Sequence, residues 1–541
     1  MARTNHRPSR RRSGLLIALS LALAWPLSPV QAQVRLPALG ESASEEFSVS
    51  AERRLGEQIM RDIRRDPDFG DDPQLLDYVQ SIWQPLLAAA RERGDISADI
   101  AQQFTWEAFL VRDPSVNAFA LPGGYIGVHL GLISVTTTRD ELASVLAHEL
   151  SHITQRHIAR SIGASQRASM VGVAALILGL LAASRSRNAD VGNAAIYGSQ
   201  AVAAQAQLNF SRDMEREADR NGFALMVSGG FSSAGMSGMF ERLDYANRLN
   251  DSGNFPYLRS HPLTTERIGE ARQLAASRAP GPASTGSMLV HVLMQARARV
   301  LMEPSVQALR RQQQADADIL ADPQATSVPA LGALYAGALA SVRLNEPERA
   351  DRSLAAALSR MTWAAGKDSN DVAALRLWAM LSTEVALARR DLPRALTSSE
   401  KFATDGSRAG MVLAAQVGLA AGAARPELRR SIEALQIWLV DHQADASVWS
   451  LLSQCAQAQG LALRSVRAEA EARAAQGDLS GAIDRLRAGQ ELARRGGVQP
   501  DFVESSVIDS RLRDLQQQRR DLIAELRRSG RARPGEPDPS Q

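Results

Sequence analysis

The run Glu141-Leu-Ala-Ser-Val-Leu-Ala147 has apolar residues at helical spacing and no helix breaker, and it leads directly into His148-Glu149-Leu150-Ser151-His152. On a helix, residues four apart stand one above the other on a single face. Both imidazoles can therefore reach one zinc ion, with Glu149 beside them to take a proton from a water that the metal activates. A surface helix with two solvated histidines is the plain alternative, and a third ligand downstream argues against it. In Asn209-Phe-Ser-Arg-Asp-Met-Glu-Arg-Glu-Ala-Asp-Arg220, Glu215 and Asp219 are again four apart. In this arrangement the glutamate becomes the third zinc ligand and the aspartate orients a ligating histidine from behind. An ordinary charged helix face would look the same in isolation. A third histidine on a longer helix is excluded, because positions 155 and 158 are Gln155 and Ile158 rather than glycine and histidine. His157 falls about 180° round the helix from His148 and points away. His129, in or beside a strand, and His291 and His442, in helical runs, read as packing or surface residues.

The chain of 541 residues is long enough for two or three domains. Its first 32 residues stand apart. Arg7, Arg10, Arg11 and Arg12 form a basic region, Leu15 to Leu27 a short apolar one, and Val30-Gln31-Ala32 a small-residue cleavage site, which together read as a secretory signal peptide cut after Ala32. An uncleaved anchor is the alternative, but the apolar run is short for spanning a bilayer. Cleavage would remove five arginines and no acid, taking the formal charge from +3 to about −2, so the basic balance says nothing for a nucleic-acid partner. Cys455 is the single cysteine; it permits no internal disulfide, and no cysteine stands directly after the cleavage site to carry a lipid.

Helical spacing covers 45–64 and 73–90, separated by the turn-rich Asp66 to Pro73. A β-like stretch follows: 104–111 alternates, and 117–121 and 125–128 flank a turn at Pro122-Gly123-Gly124. Residues 168–184 are uncharged and, as a helix, about 25 Å long, slightly short of the ~30 Å bilayer core. They read as a buried helix or hairpin, with peripheral contact to lipid or to unfolded apolar substrate as the alternative. Residues 192–207 are small and polar, a helix or mobile lead-in to the next motif. Ser260-His261-Pro262 sets His261 on a loop before a new helix. Residues 279–286, rich in Pro, Gly and Ser, read as a linker.

From 287 to 528 the chain is rich in alanine and leucine and helical. Leu344-Asn-Glu-Pro-Glu-Arg-Ala350, Arg390-Asp-Leu-Pro-Arg-Ala395 and Gly477-Asp-Leu-Ser-Gly-Ala482 each make a turn into a new helix, and Trp449 opens another after Asp445-Ala-Ser. Helix-sized units recur about every seventeen residues, half the tetratricopeptide period. Such pairs must stack on their neighbours, which gives a curved solenoid with a concave face. The tail 529–541 has the composition of disorder. The expected order is therefore signal peptide 1–32, zinc peptidase domain 33–278, linker 279–286, repeat domain 287–528 and tail. The fold class is mostly α: a metalloprotease domain with a small β-sheet, then an all-α tetratricopeptide-like solenoid.

Asn117-Ala-Phe-Ala-Leu-Pro-Gly-Gly124, Leu146-Ala-His-Glu-Leu-Ser-His152, Ser211-Arg-Asp-Met-Glu-Arg-Glu-Ala-Asp219 and His261-Pro262 occur in this order. The set resembles the gluzincin peptidases related to the CAAX prenyl protease and the membrane heat-shock protease, over about 117–267. That resemblance implies one zinc ion on His148, His152 and Glu215, Glu149 as general base, Asp219 in support, and His261 near the active site. Together with the signal peptide and the repeats, it implies a periplasmic endopeptidase, with chaperone activity beside it, in quality control of outer-membrane proteins. Its partners would be unfolded or misassembled outer-membrane proteins and, through the repeats, the outer-membrane assembly machinery. This chain lacks the several spanning helices of the integral-membrane relatives.

Three protein ligands leave one metal position open, and Glu149 can carry a proton from water to the leaving nitrogen. The second oxyanion donor is left open between His261 and Arg267. His261 has three readings: it takes the open metal position and inhibits, it stabilises the oxyanion, or it packs at its helix start. An extended substrate could add as a strand beside 119–128, with Gly123 and Gly124 letting its backbone come close. The competing function is a chaperone or adaptor whose solenoid does the work and whose zinc is structural.

Overall fold

The computed structural model describes residues 47–164, 211–249, 255–278, 287–364, 371–495 and 501–528. The leader, the segments 168–184 and 192–207, the linker 279–286 and the tail 529–541 lie outside the described residues. In chain order the first part comprises α1 (Val49–Ile63), β1 (Phe69–Gly70), α2 (Pro73–Glu92), α3 (Ala98–Gln103), β2 (Glu107–Val111), β3 (Ala118–Leu121) and β4 (Tyr125–His129). Then come α4 (Leu130–Val135), α5 (Arg139–Thr154), α6 (His157–Ala164), α7 (Arg212–Ser228), α8 (Ala234–Leu249), α9 (Tyr257–Ser260) and α10 (Thr265–Ala276).

The strands form one four-stranded sheet in the order β1-β2-β4-β3. β2 and β4 are parallel, and β3 returns antiparallel on β4 with Ala120 opposite Ile126. Residues 104–111 alternate in sequence, and 108–111 are all buried. Ala108 and Leu110 join one apolar cluster, with α2 and α5, while Phe109 and Val111 join another, with α1. Helices cover both faces here, so alternation separates two cores rather than core from water.

Helix α2 runs through Pro85. A proline there supplies no N–H to the carbonyl of residue 81. Arg139 fills the vacancy, donating Nη2–H to Ser81 O at 2.6 Å. The tie matters because Arg139 is the first residue of α5, so the proline's defect becomes a clasp on the start of that helix. Thr138 caps the same end, accepting from the Glu141 N–H at 3.1 Å.

The second part is helical throughout its described residues: α11 (Met288–Met302), α12 (Val306–Ala321), α13 (Val328–Arg343), α14 (Pro347–Ala364), α15 (Val372–Ala388), α16 (Leu392–Ser399) and α17 (Arg408–Ala421), then α18 (Pro426–Asp441), α19 (Ala446–Ala458), α20 (Ala462–Ala475), α21 (Leu479–Arg494) and α22 (Phe502–Arg528). The recurring turn signals have a common mechanism. Asn345, Arg390, Gly460 and Gly477 adopt positive φ, and the residue after each sends its N–H back to Ser341, Ala386, Ala456 and Arg473 respectively. This closes each helix with a left-handed cap. At Asp391 and Asp478 the very next side chain then caps the following helix, accepting from Arg394 N and Gly481 N.

One apolar core runs from Leu75 of α2 through Leu146 and Leu150 of α5 and Phe223 of α7 to Leu293, Leu334, Trp378 and Val385. Helix α11 is its hinge-piece. His291 bonds Tyr78 Oη at 2.6 Å and donates to Thr136 O at 2.9 Å, Gln295 donates to Ser134 O and Thr136 O, and Arg297 pairs with Asp72 at 2.7 Å. Further along, the array bends back to the first part: Arg408 pairs with Asp71 at 2.7 Å, and Arg65 donates to Gln476 O and Gly477 O. Among the described residues, no helix is long and apolar enough to cross a membrane.

Candidate metal centre

Helix α5 is buried along nearly its whole length, packed between α7, α8 and β3. It meets α7 at Gly222. A Cβ there would lie 3.0 Å from the His148 nitrogen and 3.1 Å from its Cα, so glycine is what lets the helices approach this closely. One and two turns before Gly222, Asp219 and Glu215 therefore reach the histidines of α5. Ser211 starts α7 by accepting from the Met214 N–H.

His148, His152, Glu215 and His261 each offer a ligand atom, and these atoms all lie within 4.8 Å of one another, buried. His148 Nε2 is 3.0 Å from His152 Nε2, 3.3 Å from His261 Nδ1 and 3.5 Å from Glu215 Oε2. His261 Nδ1 is 2.9 Å from Glu215 Oε1. On its other side, His148 donates Nδ1–H to Asp219 Oδ1 at 3.0 Å, which leaves Nε2 as a lone pair aimed at the common point. Asp219 is fixed in turn by a fork from Arg267, at 2.7 and 2.8 Å. Imidazole nitrogens facing one another beside a buried carboxylate fit a cation far better than they fit each other. This donor set can hold a metal ion.

Glu149 sits beside the point without joining it. Its Oε2 accepts from the Ala120 N–H at 2.9 Å, which ties the carboxylate to β3, the edge strand. Its Oε1 is buried with no hydrogen-bond donor, and His261 Nε2 stands 3.4 Å away. Burial raises the Glu149 carboxyl above its usual range, which makes it a stronger base. Burial alone would lower His148, but the carboxylates of Asp219 and Glu215 overrule it and raise it to about 10. Burial would raise Glu215, yet the imidazoles of His261 and His148 hold it below the usual range. The site thus favours a positive charge at this point, a proton or a metal ion. Burial holds His152 well below its usual value, in the neutral form that a ligand needs.

The structure brings His148, Glu149, His152, Glu215, Asp219 and His261 together. It bears on three other expectations. Arg267, considered as an oxyanion donor, is committed to Asp219, to Glu215 at 2.9 Å and to Pro262 O. Gly123 and Gly124 do adopt positive φ, but a Cβ on Gly124 would meet Phe104 and Trp106 at 3.0 Å, and both glycine carbonyls accept from Thr105 and Glu107. Their freedom serves the chain's own turn. His157 does not point away, because α5 ends at Thr154 and Arg156 turns the chain with φ of 52°. Sequence reasoning also misses Tyr257, buried and stacked on the His261 ring at 4.7 Å. Nothing in its spacing marks it, since α9 is a single turn. His129, His291 and His442 lie outside the cluster, as expected.

Residues 79–275 match peptidase family M48. The putative β-barrel assembly-enhancing protease of Vibrio cholerae is 36% identical over 265 residues, 48% of this chain and 52% of that protein. The β-barrel assembly-enhancing protease of Escherichia coli K12 is 30% identical over 267 residues, 49% of this chain and 52% of that protein. The mitochondrial metalloendopeptidase OMA1 of Saccharomyces cerevisiae is 29% identical over 195 residues, 35% of this chain and 53% of that protein. The chain spans about half the length of the curated relatives it matches. The residues that match this family include α5, α7 and the His261 loop.

Proposed function

We propose that the chain is a zinc-dependent endopeptidase of the periplasm that acts on unfolded or misassembled outer-membrane proteins. The observation that carries this reading is the convergence of His148, His152, Glu215 and His261 within 4.8 Å, beside a buried carboxylate of Glu149 with one oxygen unbonded. The relatives named for β-barrel assembly support the outer-membrane part of this reading. In this reading His148, His152 and Glu215 hold the ion, with Asp219 fixing His148. A zinc ion bound there supplies Lewis acidity to a water and to the scissile carbonyl. Glu149 takes the proton on Oε1 while the Ala120 N–H holds Oε2, then returns it to the leaving nitrogen. An extended substrate lies alongside β3, next to that same Glu149. His261, whose Nδ1 lies 3.3 Å from His148 Nε2, would be a further donor to the ion at rest and would have to move aside for turnover, which would store the enzyme self-inhibited. The helices from α11 onward carry the contact with the outer-membrane assembly machinery.

The test is digestion of an unfolded outer-membrane porin with and without a chelator, alongside metal analysis of the purified protein. Stoichiometric zinc and chelator-sensitive cleavage are expected. Cleavage that persists after the metal is stripped rejects the reading.

A further inference from the structure

We propose that His157 is a positioning residue that sets the tautomer of His152, so that His152 presents a bare Nε2 to the metal; this rests on reading the cluster as a metal centre. His152 faces the cluster through Nε2, 3.0 Å from His148 Nε2 and 3.5 Å from Glu215 Oε1. Its other nitrogen, Nδ1, lies 2.8 Å from Nδ1 of His157. Two imidazole nitrogens at that distance share one proton, so one ring donates and the other accepts. The far side of His157 decides which. Its Nε2 is 3.2 Å from Glu217 Oε2, an oxygen that also accepts from Arg160 Nη1 at 3.0 Å. A carboxylate paired with arginine accepts only, so His157 carries its proton on Nε2 and offers a lone pair at Nδ1. His152 must then carry its proton on Nδ1, and its Nε2 is left free to ligate.

The backbone is bent to make this contact. On an uninterrupted helix, five residues would set His157 about 140° round from His152. Instead Arg156 takes a left-handed conformation that an arginine adopts at a cost. It is held there by Glu52 Oε2 at 2.9 Å and Phe47 O at 2.6 Å, both from the segment that opens α1. The result seats the His157 ring, fully buried, edge-on to His152 at 4.8 Å between centroids. Asp219 does the same for His148, so each histidine of α5 has its own orienting partner, one from α7 directly and one relayed through His157 from the same helix.

The test is zinc affinity of the full chain, measured by competition with a chromophoric chelator, for wild type, His157→Phe, His157→Asn and Glu217→Ala. Phenylalanine keeps a ring and removes the acceptor. Asparagine places an amide oxygen near the Nδ1 position. Glu217 is a third exposed, so its alanine variant tests the relay without emptying the interior. We expect His157→Phe to weaken zinc binding by about 10–100-fold, as for loss of a partner behind a ligand. His157→Asn should recover most of that, and Glu217→Ala should lose severalfold without shifting the zinc-free melting temperature. Equal losses for Phe and Asn, or none for Phe, would overturn the proposal. Should His157→Phe not fold, Glu217→Ala decides, and wild-type affinity in that variant overturns it. A wild-type chain that takes up no zinc would instead reject the metal centre itself.

Discussion

The interior around α5 and the interior of the array from α17 to α22 are built from opposite materials. The first buries four histidines, Glu149, Glu215, Asp219 and Arg267, and gives most of them a named partner. The second buries mainly alanine and leucine, among them Ala415, Leu428, Leu435, Leu452 and Ala468, with few ionic pairs such as Arg467 to Glu504 set among them. A desolvated charge that loses its partner is left uncompensated, so the first interior is fixed residue by residue. Alanine and leucine are non-directional, so the second is fixed by volume and by where helices start and stop. Specificity is concentrated in one region and distributed in the other.

The largest expected effect tests the first half of that contrast. Glu149→Gln should slow hydrolysis by about 10²–10⁴-fold, since the amide cannot accept a proton, while zinc content stays stoichiometric. Parallel rate and metal measurements check this, and loss of zinc with the rate would place Glu149 among the ligands. Next, Leu452→Ala empties a fully buried position of α19 and should cost about 2–5 kcal/mol. Its cluster is separate from the core that holds α5, so urea unfolding should split into two steps with zinc affinity intact. A single concerted loss would break the contrast. His261→Ala should raise degradation of a folding outer-membrane protein severalfold. A fall of about 10²–10³-fold would instead place His261 on the transition state. Finally, Arg390→Gly relieves an exposed left-handed residue and should stabilise the array by about 1 kcal/mol, read as a small rise in urea midpoint with no change in activity.

What was legible in the sequence follows the same division. Metal chemistry restricts residue type and spacing together, so His148, His152, Glu215 and Asp219 could be read from two four-residue intervals. The array's turns were legible because a left-handed cap followed by an acidic N-cap leaves Arg390-Asp and Gly477-Asp in the chain. His157 was not, because nothing local breaks the helix at Arg156; the break is held from a distance by Glu52 and Phe47. The two-residue β1 hid in a turn-rich stretch, since its pairing with Leu110 and Val111 is decided by β2. The composition of 279–286 marks a boundary along the chain, but the core passes from Phe223 to Leu293 regardless.

That continuity bears on what kind of unit holds the cluster around His148. Helix α11 is buried on most of its circumference, with His291, Leu293, Met294, Arg297 and Val300 facing different neighbours. A chain cut at 279–286 would strip it from Tyr78, Thr136 and Asp72 and leave their partners' places open to water. The apolar interior that holds α5 therefore continues past the proline-rich stretch to Val385, and Asp71 and Arg65 tie helices beyond Ala388 to the first part as well.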